Sequence, residues 1–187
     1  LFAGEIGLPF YHALSISPAS HLLGEWVFSG AAFPDFQPDH TAYFRLVHRS
    51  LFSLQSMSGI LNVGAALWDA RRRAAPFIDR VARQILRSRP RIGGCSSTFQ
   101  QHCASLALLR RIRELAPKTV TLLGGHNTEG EMGGVIRRLC PWIDYIVSGE
   151  AENRLPSLCA ELLQGTVVHP SIPRRLACAP PDLGGAP

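Results

Sequence analysis

Between residues 91 and 165 the chain repeats one pattern three times: a short β-prone run, a loop rich in small or polar residues, and a segment with apolar residues at helical spacing. The runs occupy 91–95, 120–123 and 143–147, and each is separated from the next by more than the dozen residues that a parallel crossover needs. Short β-prone runs such as Val120-Thr-Leu-Leu and Ile143-Asp-Tyr-Ile-Val suit strands buried on both faces. The pattern therefore predicts an α/β fold with a Rossmann-like (flavodoxin-like) parallel sheet and helices on both faces. In such sheets ligands bind at the carboxyl ends of the strands.

The helices are read from spacing and punctuation. Phe77, Val81 and Ile85 predict a helix after Pro76 that Arg89-Pro90 stops. Leu108, Ile112 and Leu115 predict one ending near Pro117, and Val135, Ile136 and Leu139 a short one closed by Cys140-Pro141. Leu158, Leu162 and Leu163 predict a last helix from Leu155-Pro156 to Gly165. Residues 1–64 are irregular and rich in aromatics (Trp26, Phe28, Phe33, Phe36, Tyr43, Phe44, Phe52), which favours short helices and loops. Three regions result: an aromatic and helical part, 1–90; a regular strand-helix core, 91–165; and a Pro/Gly-rich linker or tail, 166–187.

The formal charge of +5 is almost all arginine, since Lys118 is the only lysine. The clusters Arg71-Arg72-Arg73 and Arg110-Arg111-x-Arg113 fall on helical segments and read as solvated faces, and without interleaved aromatics they give no case for nucleic acid. Five dispersed cysteines with no metal-binding spacing argue against a disulfide framework and for a reducing, cytoplasmic setting. No apolar run has the length of a membrane span, and the first residues lack the features of a signal peptide.

The candidate site residues lie in the three loops. Ser96, Ser97 and Thr98 place hydroxyls at the first strand end, where they could contact a ligand or cap the next helix, and Phe99, Gln100 and Gln101 follow. Gly124 and Gly125 permit positive φ and close backbone approach, with His126 and Asn127 beside them. The stretch matches neither G-x-G-x-x-G nor a P-loop. Gly149, Glu150 and Glu152 follow the third strand, where paired carboxylates suit either acid/base work or a helix N-terminus.

These residues carry a resemblance. Cys95-Ser-Ser-Thr-Phe-Gln-Gln, Leu123-Gly-Gly-His-Asn-Thr-Glu-Gly-Glu-Met-Gly and Trp142-Ile-Asp-Tyr-Ile-Val-Ser-Gly-Glu-Ala-Glu, in that order, resemble the cobalamin-binding domain of cobalamin-dependent radical S-adenosylmethionine enzymes. Among these the chain is most similar to enzymes that mature ribosomally made peptides, and Leu23-Gly-Glu-Trp-Val-Phe-Ser resembles an earlier segment of the same group. The resemblance implies that Ser96, Ser97, Thr98, Phe99, Gln100, Gly124, Gly125, His126, Asn127, Gly149 and Glu150 surround the cofactor's nucleotide tail. It implies a full enzyme, a C-methyltransferase acting on a peptide, that also uses S-adenosylmethionine and a 4Fe-4S cluster. The Cys-x3-Cys-x2-Cys that would hold the cluster does not occur in these 187 residues, so the resemblance implies a radical domain elsewhere, expected after Pro187, and an opening strand before Leu1. No Asp-x-His-x-x-Gly occurs, which implies that no histidine of this chain ligates cobalt. Two other readings are a self-contained α/β enzyme using His126, Glu150 and Glu152, and an interaction domain that binds a peptide or partner through its aromatic region.

Overall fold

The computed structural model describes residues 1–149, 151, 154–165 and 174–177. Five helices precede the first strand: α1 (Ala3–Ile6), α2 (Leu8–Ser15), α3 (Leu23–Ala32), α4 (His40–Ser58) and α5 (Val63–Leu86). The alternation then begins, with β1 (Ile92–Ser96), α6 (His102–Leu115), β2 (Val120–Gly124), α7 (Gly130–Leu139), β3 (Tyr145–Ser148), α8 (Leu155–Gln164) and β4 (Arg174–Ala177). The strands are all parallel and lie in sequence order, β1-β2-β3-β4.

Residues that alternate along a strand face opposite sides, and here both sides are dry. Leu123 and Ile146 pack with Leu106 and Leu109 of α6 and Ile136 of α7, whereas Val120, Leu122 and Tyr145 pack with Leu158 and Leu162 of α8. The α/β architecture with helices on both faces is as the sequence predicts. A third layer, α1 to α5, lies on the outer side of α6: Ala32 of α3 and Ile78 of α5 enter the α6 cluster, while Phe10, Leu23, Trp26, Val47 and Leu67 form a core of their own.

Two expectations are corrected. The helix expected after Pro76 begins at Val63, where Asn62 caps it by accepting a hydrogen bond from the Ala65 N–H at 2.9 Å. Pro76 sits inside it. Ala70, Ala74, Ile78 and Ala82 continue the buried stripe across the proline, and both Pro76 and Arg72, whose carbonyl loses its donor, lie on the exposed face. Second, the stretch expected as linker contributes β4, which pairs with β3 from Tyr145↔Arg174 to Ser148↔Ala177. The rest of 166–187 lies outside the described residues.

The arginine clusters divide. Arg72 and Arg73 pair with Asp69, and Arg110 and Arg111 with Glu114, as solvated faces do. Arg71 and Arg113 turn inward: Arg71 donates to the Trp26 carbonyl and places its guanidinium 4.8 Å above the Trp26 ring, and Arg113 donates to the buried Asp144 carboxylate. No helix among the described residues is long and apolar enough to cross a membrane.

Candidate functional site at the carboxyl edge of the sheet

The carboxyl ends of β1, β2 and β3 lie at one edge of the parallel sheet, and the loops after β1 and β2 are stitched together by backbone. Ser97 N–H donates to the Gly124 carbonyl at 2.8 Å, and Asn127 N–H donates to the Ser97 carbonyl at 3.1 Å. Gly125 sits between them with φ +94°, in the left-handed region. A Cβ there would lie 2.6 Å from the Ser97 carbonyl oxygen and 2.7 Å from its nitrogen. The close approach that makes glycine obligatory is thus to the chain's own β1 loop. Gly124 is an ordinary strand residue, without positive φ, whose Cβ position would meet Val147 at 3.6 Å.

The polar side chains fall into an inner and an outer set. Ser97 is fully buried, accepts from Asn127 Nδ2 at 3.0 Å and lies 3.0 Å from His102 Nδ1. Asn127 also donates to the Thr98 carbonyl at 2.7 Å, and Thr128 donates to the Val147 carbonyl at 2.6 Å, tying the loop to β3. Gln100, in the left-handed region at φ +55°, accepts from the Gly24 N–H at 3.1 Å and donates to the Ser17 carbonyl at 3.2 Å. Ser97, Gln100, Gly125 and Asn127 therefore hold the loops in place. The outer set is Ser96, Thr98, Phe99, His126 and Gly149, all exposed. Phe99 is 71% exposed, and its ring centroid is 6.0 Å from that of His126. Glu150 and Glu152 lie outside the described residues.

One residue of the site has no local sequence signal. Glu25, on α3, accepts from the His102 N–H at 2.9 Å and the Cys103 N–H at 2.6 Å, so a carboxylate from a distant helix caps α6. The hydroxyls expected to cap this helix do not; its preceding residue makes no side-chain cap. With Gly24 against Gln100, this seats the Leu23-Gly-Glu-Trp segment on the Phe99-Gln-Gln turn, bringing two of the segments that carry the resemblance into contact. Burial lowers the His102 pKa despite the neighbouring Glu25 carboxylate, so the imidazole is neutral at pH 7. Burial also pushes the Cys95 thiol up to about 11 and the Cys140 thiol up to about 12, which keeps both protonated.

On the α8 side of the sheet the carboxyl end of β1 is open. Ser96 pairs in register with Gly124 and Gly94 with Leu122, and both Gly94 and Ser96 are exposed, while α8 covers Val120, Leu122 and Tyr145. A strip of Gly94, Ser96 and Gly124 thus offers backbone to anything flat that enters between the loops. Comparison with protein-family models, with curated proteins and with solved structures returns no match for this chain.

Proposed function

We propose that this chain is a cobalamin-binding module of a radical S-adenosylmethionine enzyme, a C-methyltransferase acting on a ribosomally made peptide. The observation that carries the reading is the side-chain-poor strip of Gly94, Ser96 and Gly124, which opens at the carboxyl edge between loops whose inner polar atoms are already satisfied. A nucleotide tail needs such a slot, with flat backbone for its base and a few polar groups at the mouth. The Ser96 and Thr98 hydroxyls, the Phe99 ring and the His126 imidazole would hold it; Ser97, Gln100, Gly125 and Asn127 fix the loops that present them. When bound, cobalamin supplies a cobalt centre for methyl transfer. This chain's part is to bind and orient the cofactor, with S-adenosylmethionine and the 4Fe-4S cluster held by a radical domain outside these 187 residues.

The test is retention of hydroxocobalamin. Protein incubated with the cofactor and freed of excess by gel filtration keeps the corrin absorption, and Phe99→Ala, at an exposed position, lowers the retained fraction while shifting the urea midpoint by no more than the equivalent of about 0.5 kcal/mol. Elution of the folded parent without corrin absorption overturns the reading.

A further inference from the structure

The turn Phe99-Gln100-Gln101 has a second side. It forms one wall of a cleft of about 430 Å³ whose remaining walls come from Leu1 and Phe2 and from α2, α3, α5 and α6. Its floor is a cluster of phenylalanines: the Phe2 ring lies 4.9 Å from that of Phe28 and 4.9 Å from that of Phe77. Leu1, Leu14 and Ala104 complete the apolar lining, and no Asp, Glu, Lys, Arg or His side chain contributes to it. The polar groups at the rim include the hydroxyls of exposed Tyr11 and Ser15 and the carboxamide of exposed Gln101.

We propose that this cleft is a binding site for an uncharged planar aromatic group of one or two rings. Three observations select that class. The volume falls in the range of small-ligand sites, about 300–1,000 Å³, at its lower end. A lining without charged side chains gives an ionic group no side-chain counter-ion, which weighs against ionic ligands by desolvation cost. Tilted phenylalanine rings offer edges and faces at the spacing that aromatic pairs prefer.

The wall is rigid, so the cleft is preformed. Gln100 at φ +55° and Leu22 at φ +51° are both left-handed non-glycine residues, and they flank the same joint, where Gly24 is locked to the Gln100 side chain and a Cβ on Gly24 would lie 2.9 Å from the Gln100 carbonyl. Phe99 is held out to solvent at the end of this wall, between the cleft and His126. A ligand in the cleft would therefore lie next to whatever occupies the strip. The cleft itself owes nothing to cobalamin, and the proposal goes beyond that reading without resting on it.

Titration of the isotopically labelled 187-residue chain with indole, in the absence of cobalamin, tests it by amide chemical shifts. Saturable shifts are expected at Gly24, Gln101 and Ala104, with Kd raised by about 5-fold in Phe99→Ala and binding lost in Ala104→Leu, which fills the cleft. A parallel titration with the peptide Gly-Trp-Gly separates two sources of the same chemistry: saturation by both probes assigns the site to an aromatic side chain of a peptide, and saturation by indole alone to a free heteroaromatic molecule. Absence of saturable shifts with either probe overturns the proposal. So do shifts centred on another surface, such as that around Thr41 and His48 of α4, or indole binding that Phe99→Ala and Ala104→Leu leave unchanged when both variants give folded spectra.

Discussion

The inner and outer residues of the carboxyl-edge loops are neighbours in sequence yet opposite in physical role. Ser97 is buried and bonded on its hydroxyl, whereas Thr98, the next residue, is exposed. Gly125 is boxed in by the Ser97 backbone, whereas His126 is 64% exposed on its side chain. The difference teaches that a glycine-rich loop after a strand has two reasons to be glycine-rich, approach of a ligand and approach of the chain itself, and that composition does not separate them. Substitutions in the inner set should register in stability and those in the outer set in binding.

The sharpest way to break this division is Gly125→Ala. A side chain at φ +94° is strained whatever the space, and here its Cβ would also stand within 3.0 Å of three atoms, two of them backbone. Strain of about 1–3 kcal/mol from the dihedral and a similar amount from overpacking give an expected loss of roughly 2–6 kcal/mol in urea unfolding. Stability unchanged from the parent would mean that the two loops are not locked together as described, and Gly125 would move to the outer set.

Glu25→Ala comes next. Its carboxylate accepts two of the otherwise unpaired N–H groups at the start of α6 from a helix more than seventy residues earlier in the chain, so its removal loosens both a cap and the joint between the helical layer and the sheet layer. Replacing a cap residue by alanine costs about 0.5–2 kcal/mol, and the expected loss lies in the upper half of that range. Glu25→Gln, which keeps one acceptor oxygen, should recover part of it. Hydrogen exchange gives the location: His102 and Cys103 amides should lose protection before those of Leu109 and Ile112. Uniform loss across α6 would count against a local cap.

What could be read from the sequence follows from the range of the forces involved. Strands β1 to β3 declare themselves as short β-prone runs and helices α6 to α8 through apolar residues at helical spacing, both local signals, and their bounds differ from the expected ones by a residue or two. Ile143 and Asp144, expected at the start of the third strand, precede it: the Asp144 carboxylate accepts from Thr121 N–H at 2.7 Å and from Arg113, an interaction across strands. Strand β4 has no alternation in Arg174-Arg-Leu-Ala and lies among prolines, so nothing local announced it. The inward turn of Arg71 and the reach of Glu25 to α6 depend on how the helical layer docks, a property of the tertiary fold alone. The site was legible as three loops; which of their residues face inward was not.

The smallest expected effect concerns His102, the buried neighbour of Ser97. Asn127 Nδ2 donates to the Ser97 hydroxyl oxygen, which also lies 3.0 Å from Nδ1 of the His102 ring. The folded-state pKa is lowered, chiefly by burial and against the raising influence of Glu25, while the unfolded chain titrates near 6.5. Below that pH the unfolded state takes up a proton that the folded state resists, so it binds more protons and stability falls as pH falls, levelling off once the lowered folded pKa is passed. The urea midpoint should therefore drop between about pH 7.5 and about pH 5.5, and His102→Gln, which cannot titrate, should remove part of that drop. The His40 pKa is lowered as well, and because His40 is present in both proteins its contribution cancels in the comparison. An identical pH dependence in parent and variant would show that His102 is as accessible to protons folded as unfolded, and would place it with the outer residues of the site.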